Sequence, residues 1–208
     1  MRIFRKVYQD AELIVLDKPS GMLAVPGRGP DLQDCLSARV QTELPAAAVV
    51  HRLDRDTSGL IVMALTADAQ RELSRQFAAR EVEKVYRAMV FDSPADDEGL
   101  IDLPLRKDFD RPPRHMVCHV HGRAAQTSWR VVRRFADRTL LEVKPITGRS
   151  HQIRIHLAEL KHPILGDPLY AHEAALGMAE RLMLHAEQLT VTHPRTGERM
   201  AWHVECEF

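Results

Sequence analysis

The chain has 208 residues, 45% hydrophobic and 28% charged, and its 29 Lys and Arg balance 29 Asp and Glu for a formal net charge of zero. That composition fits a globular protein with a sizeable core and excludes a uniformly basic chain, so binding to a polyanion would need a local basic face. Cys35, Cys118 and Cys206 stand singly, against a disulfide framework or cysteine-rich zinc site, and no apolar leader or membrane-length run is present, so a soluble, cytoplasmic protein is expected.

In chain order, ELIVLD (12–17) predicts a strand and KPSG (18–21) a turn. DLQDCLSARVQTEL (31–44) predicts a helix with Asp31 as N-cap, Leu32, Leu36, Val40 and Leu44 on one stripe, and Pro45 as its stop. VVHRL (49–53) and LIVMAL (60–65) read as strands around a charged loop that holds His51, Arg52, Asp54, Arg55 and Asp56. TADAQRELSRQFAAR (66–80) predicts a helix capped by Thr66, with Ala69, Leu73 and Phe77 inward, and KVYRAMVF (84–91) a strand. SPADDEG (93–99) and RKDFDRPPRHM (106–116) read as loops.

Further on, TSWRVVRRF (127–135) and TLLEVKP (139–145) read as strands joined by a short turn. SHQIRIHLAEL (150–160) predicts a helix capped by Ser150, with Ile153, Leu157 and Leu160 on one face. RLMLHAEQLTVTHP and RMAWHV form a hairpin around Arg195-Thr196-Gly197. Strands outnumber helices and several links have hairpin length, so the expected fold is α+β, with a mixed, mostly antiparallel sheet and flanking helices. No convincing linker interrupts the chain, and residues 1–208 are read as one domain.

Asp54 admits two readings, a turn-maker bonded to its own backbone or a carboxylate held for chemistry. TGRSHQIRIH (147–156) is a second polar element: Gly148 permits an unusual backbone angle, and the helix start favours anions. Arg154, one turn inside, is either a structural ion pair or the cation that keeps a carboxylate ionised. His151 and His156 are five apart and do not share a helix face as a zinc pair would, and no GxSxG, GxGxxG or phosphate-binding loop is present. Tyr86 either packs its ring or offers it to a flat substrate, with Lys84 on the same strand face. Basic residues gather at Arg106, Lys107, Arg111, Arg114 and His115, and again at Arg130, Arg133, Arg134 and Arg138, a pattern that suggests phosphate contacts.

DAELIVLDKPSGMLAVPG (10–27), HRLDRDTSGL (51–60), KVYRAMV (84–90), PITGRSHQIRIHLAELKHPILGD (145–167) and RLMLHA (181–186) together resemble the pseudouridine synthases of the RluA type, over nearly the whole chain. The resemblance implies an isomerase with the catalytic fold of that family that detaches uracil from ribose, turns it and rejoins it through a ring carbon, with no cofactor and no metal. It places Asp54 as the catalytic aspartate, Tyr86 as the tyrosine that stacks on uracil and takes part in proton transfer, and Arg154 as the arginine paired with that aspartate. Arg52 matches the side chain that fills the gap left by a flipped base. Lys84, Arg106, Arg114, Arg149 and His151 are expected RNA contacts.

The chain looks closest to short members that lack an N-terminal accessory RNA-binding domain and modify both a 23S rRNA uridine and a tRNA anticodon-loop uridine. The expected partners are therefore rRNA, tRNA or both, for a monomer with no membrane association and no obligate protein partner. Two readings from other classes stand beside this one. One is a non-catalytic RNA-binding protein with a structural Asp54; the other is a metal-independent hydrolase using Asp54 with His51 or His151.

Overall fold

The computed structural model describes residues 4–208. Its elements begin with β1 (Arg5–Gln9), β2 (Leu13–Lys18), a 3-10 turn (Pro30–Leu32), α1 (Leu36–Glu43), β3 (Ala48–Val49), β4 (Ser58–Ala64), α2 (Ala67–Ala79) and β5 (Glu83–Phe91). They continue through β6 (Glu98–Asp102), β7 (Leu105–Lys107), β8 (His115–Val117), β9 (Gln126–Arg134), β10 (Arg138–Pro145), α3 (Gln152–Glu159), α4 (Glu173–Gly177), β11 (Leu184–Thr192) and β12 (Arg199–His203). The chain divides into two compact units, residues 1–84 with 185–207 and residues 85–184 with Phe208.

In the first unit β4 is buried at every position, as its unbroken apolar run requires. It pairs antiparallel with β2 and β3 and parallel with β11, where His185 faces Ser58 and Ala186 faces Gly59. Gly59 is required there: its φ is +106° and a Cβ would lie 2.3 Å from the Ala186 carbonyl oxygen. α2 starts as expected, with Thr66 Oγ1 accepting from the Ala69 N–H at 3.2 Å. Its Ala69 and Leu73 pack on Leu13, Val15, Val62, Leu189 and Val191. β11 and β12 form the expected hairpin.

Two expectations in this unit need correction. The helix read over 31–44 starts at Leu36, because Cys35 is extended and its Sγ accepts from the Ala38 N–H at 3.4 Å; Asp31 sits in the separate 3-10 turn. The strand read over 49–53 ends at Val49, since His51 turns its ring inward onto Phe77 at 4.3 Å.

In the second unit the strands run in the order β5-β10-β9-β6, all antiparallel, with Val143 of β10 facing Tyr86 on one side and Trp129 on the other. Ala88, Val90, Trp129, Leu141 and Val143 bury against Ile153 and Leu157 of α3 and against Ile164. β7 and β8 form a separate hairpin inside a stretch expected to be loop. α3 also begins later than expected: its N-cap is His151, at φ 57°, not Ser150, and Gly148 has no positive φ. No side chain caps the helix; Gln152 Oε1 accepts instead from the Arg149 N–H at 3.0 Å, in the turn that precedes it.

Candidate active site

Asp54 lies in the first unit, half-buried in the loop that enters β4. The KPSG turn clasps that loop. Lys18, fully buried at the end of β2, donates from Nζ to the carbonyls of Pro19 (2.9 Å), Met22 (2.8 Å) and Arg55 (2.9 Å), so each ammonium proton has an acceptor. Ser20 Oγ donates to the Asp56 carbonyl at 2.6 Å and Arg55 Nε to the Gly21 carbonyl at 3.1 Å. Burial pushes the Lys18 pKa down to about 8, against the pull of the Asp56, Asp54 and Asp17 carboxylates. Sequence reading gave Lys18 only turn chemistry; the available signal was a lysine closing an apolar strand.

The Asp54 carbonyl accepts from the Thr57 N–H at 3.3 Å, and Thr57, Ser58 and Gly59 then bury into β4. His185 Nε2 lies 3.2 Å from the Val204 carbonyl, which can only accept; Nδ1 is thereby left to accept the Ser58 hydroxyl at 2.9 Å. Asp54 thus immediately precedes a clamped turn that leads into a fully buried strand. Arg52 is exposed, with no ion-pair partner among the described residues.

His51 Nε2 accepts the Val62 N–H at 3.0 Å. Burial and the nearby Lys84 ammonium push its pKa down to about 3, so the ring is neutral and that nitrogen is engaged in holding the loop to β4. Lys84 is half-buried, and burial lowers its pKa.

Tyr86 and Arg154 lie in the second unit. Tyr86 is half-buried on β5, its ring against the core. Arg154 is 2% exposed, and its Nε and Nη2 donate to Asp167 Oδ2 at 2.8 Å and Oδ1 at 2.6 Å; Asp167 is itself 1% exposed. Asp167 Oδ1 also accepts the N–H groups of Leu169 (2.9 Å) and Tyr170 (3.2 Å), and the Tyr170 ring centroid lies 5.2 Å from the guanidinium. The ion-pair reading of Arg154 therefore holds through this two-pronged contact with Asp167. Asp167, in PILGD, is an ion-pair partner that the sequence does not reveal, since nothing local ties residue 167 to 154.

Other residues of TGRSHQIRIH hydrogen-bond to neighbouring elements. Gln152 Nε2 donates to the Gln126 carbonyl (2.9 Å) and Thr127 Oγ1 (3.0 Å), its Oε1 accepts from Thr147 Oγ1 (2.7 Å), and His156 bridges Thr127 Oγ1 (2.9 Å) and the Leu103 carbonyl (3.0 Å). His151 Nδ1 lies 2.7 Å from the Tyr170 hydroxyl, which also accepts the His115 N–H at 2.9 Å. Arg149 is half-buried and donates from Nε to the Ala124 carbonyl at 3.1 Å.

The two basic clusters differ. Arg130 forms a two-pronged pair with Glu142 (2.8 and 2.9 Å), joined by Lys144 (3.1 Å) and Arg87 (3.3 Å). Those contacts, the Arg130 hydrogen bonds foremost, hold Glu142 at a pKa of about 2. Arg134 pairs with Asp97 at 2.7 Å. The charges of Arg130 and Arg134 are thus balanced by carboxylates, while Arg133 lies over the Phe135 ring. In the first cluster Arg111 pairs with Asp108, but Arg106, Lys107 and Arg114 have no carboxylate partner among the described residues and lie beside the rings of Phe109 and Tyr170. Among the described residues no group of three or more His, Cys, Asp or Glu is arranged to hold a metal, and no helix is long and apolar enough to cross a membrane.

A family model described as RNA pseudouridylate synthase matches residues 12–159. The chain is 52% identical over 203 residues to the dual-specificity RNA pseudouridine synthase RluA of Yersinia pestis, covering 97% of this chain and 98% of that protein. It is 51% identical over 203 residues to the protein of the same name from Escherichia coli strain K12, covering 97% and 93%. Among solved structures, human RNA pseudouridylate synthase domain containing 4 is similar at a TM-score of 0.77 and 25% identity, over 97% of this chain and 88% of that one. Human RNA pseudouridylate synthase domain containing 1 shares the fold at a TM-score of 0.81 and 24% identity, over 97% and 83%.

Proposed function

Because the chain belongs to the RNA pseudouridylate synthase family, we propose that this isomerase converts uridines to pseudouridine in both rRNA and tRNA, with Asp54, Tyr86 and Arg154 as its catalytic residues. Its two units act as one catalytic domain, working as a monomer in the cytoplasm. Dual specificity rests on the curated relatives, whose names carry it at 51–52% identity.

The reaction conserves every atom of the nucleoside. The glycosidic C–N bond breaks, the uracil turns, a C–C bond forms to the same sugar carbon, and the proton on that ring carbon moves to a ring nitrogen. The protein must retain the base and stabilise charge rather than supply a reactant. Asp54 acts as nucleophile or base, Arg154 favours its ionised form, and Tyr86 stacks on the uracil and relays the proton. Extruding a uridine from a folded loop costs a few kcal/mol, part of which Arg52 offsets by filling the vacancy. Lys84, Arg106, Arg114, Arg149 and His151 contact the RNA.

The observation that best supports the assignment is the clamped loop, in which buried Lys18 and half-buried Ser20 of the KPSG turn hold the carbonyls of Arg55 and Asp56, the two residues that follow Asp54. Such fixing suits a carboxylate that must meet a nucleoside in one geometry. The test is to incubate the purified protein with 23S rRNA fragments and tRNA anticodon stem-loops and to map pseudouridine. Conversion in both RNAs is expected; conversion in one alone would make it a single-substrate synthase, and conversion in neither would overturn the proposal.

A further inference from the structure

The turn between β7 and β8 displays an aromatic ring that the reaction does not use. Phe109 is 71% exposed. The Arg106 guanidinium and the Lys107 ammonium lie 5.9 and 5.8 Å from its ring centroid, within cation–π range. Neither cation has a carboxylate partner among the described residues, and Arg106 Nε is buried with no hydrogen-bond partner.

The turn is built rather than slack. Buried Asp108 accepts the N–H groups of Asp110 (3.1 Å) and Arg111 (3.2 Å) on Oδ1 and the Arg111 Nε–H (2.9 Å) on Oδ2, and its own N–H donates to the Arg114 carbonyl at 3.0 Å. A buried carboxylate thus organises a turn that leaves a large apolar side chain in water. Preorganising a ring in this way lowers the ordering cost of a contact made at it.

We infer that Phe109, with Arg106 and Lys107 beside it, is a stacking platform for an unpaired nucleotide of the RNA substrate, distinct from the reacting uridine. This rests on the RNA-modifying function proposed above. An aromatic face accepts any splayed base, and flanking cations meet its phosphate. A second protein copy fits less well, because Lys107, Asp110 and Arg111, the exposed residues next to Phe109 along the turn, are all charged.

The test compares wild type with Phe109→Ala, Phe109→Leu and Phe109→Trp, using fluorescence anisotropy on a labelled stem-loop RNA together with steady-state kinetics. Loss of one stacked base weakens binding about tenfold, so Phe109→Ala raises Kd and KM by that factor and leaves kcat unchanged. Phe109→Leu behaves like Ala, and Phe109→Trp binds at least as tightly as wild type. The salt dependence of Kd is unchanged in Phe109→Ala, whereas Lys107→Ala lowers its log–log slope by about one. Unchanged Kd and KM in Phe109→Ala, or full affinity in Phe109→Leu, would overturn the inference, as would altered self-association with RNA affinity intact. If wild type itself forms no pseudouridine, the functional reading fails instead; an active wild type with an indifferent Phe109→Ala defeats this inference alone.

Discussion

Asp54 and Arg154, the residues proposed to act in catalysis, are each held by a neighbour. Lys18 fixes the backbone next to Asp54 through the Arg55 carbonyl, and Asp167 fixes Arg154 through two short charged hydrogen bonds. The second case yields a sharper expectation, because a two-pronged pair sets the plane of the guanidinium as well as its position. Asp167→Asn keeps the shape but loses the charge and one acceptor. It is expected to lower kcat on the order of 10- to 100-fold, the scale typical of residues that orient a functional group through hydrogen bonds, while RNA affinity stays near wild type. Single-turnover kinetics beside a binding isotherm would check this; an equal loss in both would mean that Asp167 serves folding alone.

At the scale of elements, site geometry depends on how β4 is held. Its first residues meet β11 so closely that Gly59 has no room for a side chain, and its φ of +106° is one L-residues rarely adopt. Gly59→Ala is therefore expected to destabilise the protein by about 3 kcal/mol or more, since the obstruction is backbone and cannot swing aside. Thermal melts would show it as a lowered Tm; an unchanged Tm would mean that β4 and β11 are less tightly seated than described. The charge sorting also belongs to this scale. Arg130 is neutralised because antiparallel register sets it directly opposite Glu142, whereas Arg106 and Lys107 lie on the β7 hairpin with no such neighbour.

For the whole molecule, acid stability follows from His51. Its folded pKa of about 3 lies below its ordinary value of 6.5, so the unfolded chain binds the extra proton first as pH falls. Its contribution is fully present above about pH 6.5 and is lost progressively toward pH 3. Melts at pH 7, 5 and 4 should therefore show a shallower acid decline in His51→Gln than in wild type, and identical declines would refute that role. What the sequence made legible follows the same division between local and distant causes. The α2 helix and its Thr66 cap were readable because the cap is three residues from its donor, and the β11–β12 hairpin because its turn chemistry is contiguous. The Lys18 clasp and the Asp167 pair were not, since they join residues 37 and 13 apart through tertiary structure, and the starts of α1 and α3 moved because Cys35 and His151 took cap positions that composition gave to others. Asp54 is singled out in the sequence by its surrounding motif alone. The most direct test is therefore pseudouridine formation by purified Asp54→Asn on an RNA that wild type modifies. No product above background is expected, with Tm unchanged and RNA affinity within about twofold of wild type. Pseudouridine formed at the wild-type rate would contradict the assignment.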